Sequence, residues 1–270
     1  MIQDIGEHTF DNQYHPCPPD RESYALYYED HAALVRKYPD RIEFPKFRDI
    51  ERLNEDIYED AVYLFSIDGE RYYLVEEINR ERQSHFTMEN TEIFRYAEPQ
   101  YLAFAGITGY QLHNWYQSRR FCGKCGRRMK KDSKERMLYC ESCHNMEFPK
   151  ICPAVIIGVT DGDKILMSKY AGRTYKKYAL LAGFTEIGET LEETVQREVM
   201  EEVGLKVKNI RYYKSQPWSF TDTLLMGFYC DLDGEAAITL DREELAMAEW
   251  FQRDEIPVEP ERDSITNEMI

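Results

Sequence analysis

The stretch GFTEIGETLEETVQREVMEEVGL, Gly183 to Leu205, decides how the second half of this 270-residue chain is read. Thr190 followed three residues later by Glu193 is a capping-box start, and Gly204 is a helix stop, so the spacing predicts a helix between them. Leu191, Val195, Val199 and Val203 recur every three to four residues and form its buried stripe. Glu198, Glu201 and Glu202 then fall at i, i+3 and i+4 on one helical face. Like charges so placed repel by about 0.2–0.5 kcal/mol per pair, and Arg197 is the nearby counter-charge. Divalent cations remove that penalty, and oxygen-only donors suit Mg²⁺ or Mn²⁺, which also bind phosphate and activate water. A solvated acidic face in a chain this acidic is the plainer alternative.

The full spacing tips the balance. The stretch matches G-x5-E-x7-R-E-U-x-E-E-x-G-U, with U aliphatic, at every specified position, and so resembles the signature of the Nudix hydrolases. The resemblance implies an α/β fold: an α/β/α sandwich around a mixed sheet, in which the signature forms a loop, helix and loop holding divalent ions. It implies that Glu198 and Glu202 ligate metal, that Glu201 serves as ligand or base, and that Glu189 and Arg197 shape the loop. The backbone carbonyl of Ala182 is a further implied ligand, and Glu244 an additional one.

Downstream, Ser215-Gln216-Pro217-Trp218-Ser219-Phe220-Thr221-Asp222-Thr223 is similar to the S-Q-P-W-P-F-P-x-S array of the NADH pyrophosphatase subfamily. Ser219 and Thr221 stand where that pattern has prolines, which leaves the loop less rigid; Thr223 keeps the hydroxyl of the pattern's serine. The resemblance implies that Gln216 through Thr223 contact substrate, that Phe148 stacks on adenine, and that Phe184 and Trp218 shape the site near nicotinamide. Glu135 and Thr266 are implied substrate contacts, Thr266 sitting where relatives usually have Ala. Core or lid packing is the alternative for each aromatic.

Upstream, Cys122-Gly-Lys-Cys125 and Cys140-Glu-Ser-Cys143 enclose fourteen residues, enough for one hairpin. Two thiolates two residues apart reach one tetrahedral ion, with Gly123 and Gly126 allowing tight knuckles, so the expectation is Zn²⁺. Four cysteines fill the coordination shell and leave no open position, which makes that zinc structural. Four unliganded thiols are the alternative. The window from Arg119 to Arg136 holds nine Lys and Arg against two acids. It either guides nucleic acid or meets acidic parts of the chain or a second copy.

The division expected is an amino-terminal α+β domain over 1–117, the ribbon over 118–150 and the Nudix domain over 151–270. In the first, Ala61–Ile67 and Tyr72–Val75 flank Asp68-Gly69 as a hairpin, and a helix follows Pro99, burying Leu102, Ala105, Ile107 and Leu112. In the last, strands are expected at Ala154–Val159, Lys164–Met167, Tyr178–Leu181, Val207–Lys214 and Leu224–Cys230, with a late helical turn at Glu243–Leu245.

A composition 43% apolar supports a substantial core. The net charge of −16 argues against non-specific coating of nucleic acid. No apolar run approaches the ~20 residues of a membrane span, and MIQDIGEHTF lacks a signal peptide's basic and apolar segments, so a cytoplasmic protein is expected. The expected activity is hydrolysis of the P–O–P bond of NADH or NAD⁺ to nicotinamide mononucleotide and AMP, by a homodimer as the resemblance implies. Removal of an NAD cap from RNA by the same chemistry, and a non-catalytic nucleotide sensor, are the alternatives.

Overall fold

The computed structural model describes residues 1–54, 56–79, 85–172, 177–257 and 264–270. Contacts gather them into two compact units, one of residues 2–150 and one of 151–270 together with Met1. Among the described residues no helix is long and apolar enough to cross a membrane.

In the first unit, β1 (Phe10–Asp11), β2 (Tyr24–Leu26), β6 (Val62–Ile67) and β7 (Glu70–Leu74) make a sheet in the order β1-β6-β7-β2. The Asp-Gly signal forms the hairpin it predicts: Ile67 faces Glu70, and Asp68 and Gly69 both take positive φ, 53° and 80°. A second sheet joins β3 (Tyr28–Glu29), β4 (Ala32–Lys37), β5 (Ile42–Glu43) and β8 (Thr87–Asn90). A short helix, α1 (Phe47–Ile50), lies between β5 and β6 in sequence. The long helix α2 (Gln100–Ser118) begins after Pro99 and buries Leu102, Ala105, Ile107 and Leu112. The ribbon that follows is three short strands, β9 (Lys130–Lys131), β10 (Leu138–Tyr139) and β11 (Met146–Glu147), in the order β11-β10-β9.

The second unit is built on a mixed sheet, ordered β15-β16-β12-β13-β17. Its members are β12 (Cys152–Asp161), β13 (Lys164–Tyr170), β15 (Val207–Trp218), β16 (Thr223–Leu232) and β17 (Leu245–Gln252), with β14 (Leu181–Phe184) paired to β12. Alternation in β12 decides the layers. Val155, Ile157 and Val159 face helix α3 (Leu191–Val203) through Val195, Val199 and Val203. Ile156, with Ile165 and Met167 of β13, packs instead with Ile265 and Met269 of helix α4 (Ile265–Met269). The sheet thus has a helix on each face.

One local expectation is corrected and one is met. The strand expected at Tyr178–Leu181 lies further along, at Leu181–Phe184, where Leu181 to Phe184 pair with Ile157 to Ala154; before it, only Ala179 bridges Ser168. The helical turn expected at Glu243–Leu245 is a single turn, closed by the Leu245 N–H on the Asp241 carbonyl, and it leads directly into β17. There Leu245 through Gln252 pair along β13.

Candidate active site and cysteine ribbon

The helix that carries the glutamates is fixed at both ends. The Thr190 hydroxyl accepts the Glu193 N–H at 3.2 Å, and the Glu193 carboxylate accepts the Thr190 N–H at 2.8 Å, completing the capping box. At the other end Gly204 turns left-handed at φ 69°. Its bare Cα also suits the site, since a Cβ there would stand 2.9 Å from the Thr239 Cβ.

Arg197 organises the charged face. It donates to both Glu189 oxygens at 2.6 and 2.9 Å, to Glu198 at 2.7 Å, to Glu201 at 3.0 Å and to the Phe184 carbonyl at 2.9 Å. Glu189 answers strongly: the Arg197 guanidinium, helped by the Glu186 N–H and the Thr194 hydroxyl, pulls its carboxyl down to about 2. Glu198 moves the other way. Burial pushes it above the ordinary carboxylate range, Arg197 opposes the shift, and the charges of Glu201 and Glu244 add to it. Glu244, exposed in the turn before β17, is therefore within electrostatic reach of Glu198.

The three glutamates of the helix are not equivalent. Glu198 and Glu202 are buried, at 8% and 2% exposure, while Glu201 is exposed. Glu198 lies on the backbone of Gly183, because an added Cβ at that glycine would be 1.9 Å from the Glu198 carboxyl carbon. The signature glycine sits in strand β14 opposite Val155, beside half-buried Ala182. It leaves the space that lets a carboxylate descend onto the sheet.

As a donor set, buried carboxylates beside a strand backbone offer hard oxygen atoms and no sulfur or imidazole, which fits Mg²⁺ or Mn²⁺. Arg197 holds Glu198 and Glu201, and the three carboxylates do not converge on one point. Among the described residues, the four cysteines are the one His, Cys, Asp or Glu group gathered as a metal cage.

The array after the helix closes β15 onto β16. Trp218 faces Thr223, so Ser219 to Asp222 form a hairpin loop, with Asp222 at φ 57°. The Trp218 and Phe220 rings lie 5.0 Å apart, tilted by 48°. In place of proline, Thr221 brings a hydroxyl to 2.8 Å from that of buried Thr223. Pro217 is exposed, Ser219 buried, and Phe184 exposed at the end of β14. Gln216 departs from the expected role: it is fully buried, and its side-chain oxygen accepts the Ile265 N–H at 2.7 Å, tying β15 to the start of α4. Thr266 is the next residue of that helix, half-buried. Thr194 was not singled out by the sequence; a hydroxyl at an otherwise apolar helix position is its only signal, and it donates to Glu189 at 3.0 Å.

In the ribbon the four sulfurs come together within 4.8 Å of one another. Cys122 and Cys143 are 3.5 Å apart, and Cys125 and Cys140 3.4 Å. With Zn–S bonds of about 2.3 Å, a tetrahedral ion needs sulfurs at comparable separations, so the cluster fits one structural Zn²⁺. The knuckles repeat each other: the Gly126 N–H donates to the Cys122 carbonyl, and the His144 N–H to the Cys140 carbonyl. Gly126 and His144 both take positive φ, 73° and 58°, and Gly123 does not, so one of the two expected glycines is needed. Backbone N–H groups of Cys143 and Ser142 draw the Cys140 thiol down to about 6, while at Cys143, against the pull of the Asn145 N–H, burial and the neighbouring sulfurs push the thiol up to about 12.

Three of the nine cations of the basic window pair with acids of their own unit. Arg119 pairs with Glu147 at 3.5 Å, Lys130 with Glu141 at 2.7 Å and Lys131 with Glu76 at 2.9 Å. Glu135 and Phe148 also belong to this unit, both exposed.

Residues 150–269 match the family model described as NUDIX domain, and residues 117–148 that of the NADH pyrophosphatase zinc ribbon domain. The chain is similar to the NAD-capped RNA hydrolase NudC of Photorhabdus laumondii subsp. laumondii, 41% identical over 162 residues, which is 60% of this chain and 63% of that protein. It is also similar to the NAD-capped RNA hydrolase NudC of Enterobacter sp. (strain 638), 41% identical over 162 residues, 60% of this chain and 62% of that one. The chain thus spans a little under two thirds of the length of these relatives. Among solved structures, a NUDIX hydrolase from Nitrosomonas europaea is 26% identical, with a TM-score of 0.45, over 51% of this chain and 80% of that one.

Proposed function

Because this chain carries a NUDIX domain behind an NADH pyrophosphatase zinc ribbon domain, we propose that it hydrolyses the pyrophosphate bond of NADH and NAD⁺ to nicotinamide mononucleotide and AMP. The observation that carries the reading is the arrangement around Arg197. A guanidinium fixed by Glu189 and the Phe184 carbonyl sets Glu198 over Gly183, while Glu202 is buried beside it on the same helix. These groups, with Glu201, Glu244 and the Ala182 carbonyl, would hold Mg²⁺ or Mn²⁺. Bound there, the ion neutralises pyrophosphate charge and lowers the pKa of a water.

The chain's own part is positioning and proton handling. Arg197 keeps Glu198 and Glu201 on one face, and a helix glutamate accepts the proton of the attacking water. Trp218 and Phe220 offer ring faces to a base, and the Thr221 and Thr223 hydroxyls offer hydrogen bonds to the substrate. The buried Gln216 acts behind them by holding the array to α4. The enzyme works as a cytoplasmic homodimer in this reading.

A second substrate has a specific observation behind it. The relatives at about 40% identity are named as hydrolases of NAD-capped RNA, and the same pyrophosphate chemistry removes such a cap. The test is Mg²⁺- or Mn²⁺-dependent hydrolysis of NADH, NAD⁺, ADP-ribose and an NAD-capped RNA, with products separated by chromatography. Wild type should release AMP from NADH, and Glu202→Gln should lose most turnover with its zinc retained. Wild type inert on all four substrates would overturn the reading in favour of a nucleotide sensor.

A further inference from the structure

The hairpin between β15 and β16 is held by its own hydrogen bonds. The Thr221 N–H closes the turn on the Trp218 carbonyl at 3.2 Å, and the Cys152 N–H holds the Asp222 carbonyl at 2.7 Å. The hydroxyls of Thr221 and Thr223 lie 2.8 Å apart. The Thr223 hydroxyl is also 3.1 Å from the Thr221 carbonyl, which can only accept. Thr223 therefore spends its single hydrogen on that carbonyl, and Thr221 donates the bond between the two hydroxyls.

Both hydrogens are thus committed inside the loop. Thr223 is buried, whereas Thr221 is exposed, and among the described residues its hydroxyl makes no further hydrogen bond. Thr221 consequently presents lone pairs, and no hydrogen, to whatever lies beside the loop. Next to it in the hairpin are the half-buried rings of Trp218 and Phe220, 5.0 Å apart, which suit a planar base. A base seated there meets an acceptor, and the complementary group on a base is an exocyclic –NH₂. An oxo or carboxylate oxygen in that place would set its own lone pairs against those of Thr221. Proline, which the NADH pyrophosphatase pattern has at this position, brings neither the hydroxyl nor the N–H that closes the turn.

We propose that Thr221 is a specificity-determining residue, accepting a hydrogen bond from the exocyclic –NH₂ of the base held at Trp218 and Phe220. The proposal rests on the dinucleotide reading above and narrows its substrate class to bases that carry such a group. In NAD⁺ two groups qualify, the carboxamide of nicotinamide and the amine of adenine.

The test compares kcat/KM for NAD⁺, nicotinic acid adenine dinucleotide and nicotinamide hypoxanthine dinucleotide in the full chain with its zinc. The first analogue replaces the carboxamide –NH₂ by oxygen, and the second replaces the adenine amine. Wild type should disfavour one of the two by about tenfold, the worth of one neutral hydrogen bond, and that analogue names the base. In Thr221→Val, which keeps the shape and loses the hydroxyl, the preference should vanish, and in Thr221→Ser it should remain. A loosened loop alone would lower turnover of all three substrates and leave their ratio in place, so the ratio reports the contact. No preference in wild type, a preference that survives in Thr221→Val, or one that disappears against both analogues at once would overturn it. Absence of turnover on all three defeats the proposed activity instead. The same ratios, taken from binding constants with Ca²⁺ in place of Mg²⁺, then decide the contact separately.

Discussion

At the scale of single residues, Gly183 and Glu189 make the sharpest claims. Gly183→Ala would place a methyl group inside the space of the Glu198 carboxylate. In the proposed hydrolase Glu198 is catalytic, and a displacement of about 1 Å at such a group costs about 100-fold in rate, so the proposed NADH turnover should fall by that order while the thermal midpoint moves by only a few degrees. Turnover close to wild type would show that Glu198 need not rest on the strand. Glu189 is held down to about 2 from an ordinary 4.5, chiefly by Arg197. Its folded pKa lies below its unfolded one, so its stabilisation is complete above about pH 4.5 and is lost as the pH falls toward 2. Glu189→Gln should therefore flatten the decline of stability over that window, and a parallel decline in both proteins would remove the assigned interaction. The resemblance of the signature singles out Glu189, Arg197 and the three helix glutamates, and the structure brings Glu189, Glu198 and Glu201 onto Arg197. Their division of labour was not legible in the sequence. That Arg197 spans four residues, that Glu201 stays exposed, and that Gln216 is spent on the Ile265 N–H all depend on where other elements pass.

At the scale of elements, α3 was readable to its ends because everything that defines it is local. The capping box, the apolar stripe and the glycine stop all lie within fifteen residues, Thr190 to Gly204. Its termini can be tested in the same terms. Thr190→Ala removes the cap and should cost about 1 kcal/mol. Gly204→Ala faces both a left-handed backbone and the Thr239 side chain, and should cost about 1–2 kcal/mol. Urea denaturation that ranks Thr190→Ala as the more damaging would contradict this account of the C-terminal end. The β6–β7 hairpin was legible for the same reason, through Asp68-Gly69. Strand β17 was not, because its conformation is imposed by β13 across the sheet, with a bulge at Lys169 and Tyr170 that no local pattern announces.

At the scale of the whole molecule, the chain divides its stability between a metal and a core. The ribbon strands are two residues each and cannot hold themselves, whereas the mixed sheet of the second unit is sandwiched between two apolar layers. Stripping zinc with a chelator, its release followed by a metal-sensitive dye, should abolish the ribbon and lower the melting of the amino-terminal unit. A calorimetric trace unchanged after complete zinc release would refute a structural ion. The core of the second unit has a different vulnerability, set by the parallel pairing of β12 with β16. Thr160 meets Asp231, 71 residues later in the chain, and such distant closures are slow to form. On the ribosome, β12 emerges with its apolar residues long before that partner exists. A nascent chain stalled anywhere between α3 and β16 would present an unsatisfied central strand edge, a natural target for holding chaperones and, where they fail, for aggregation.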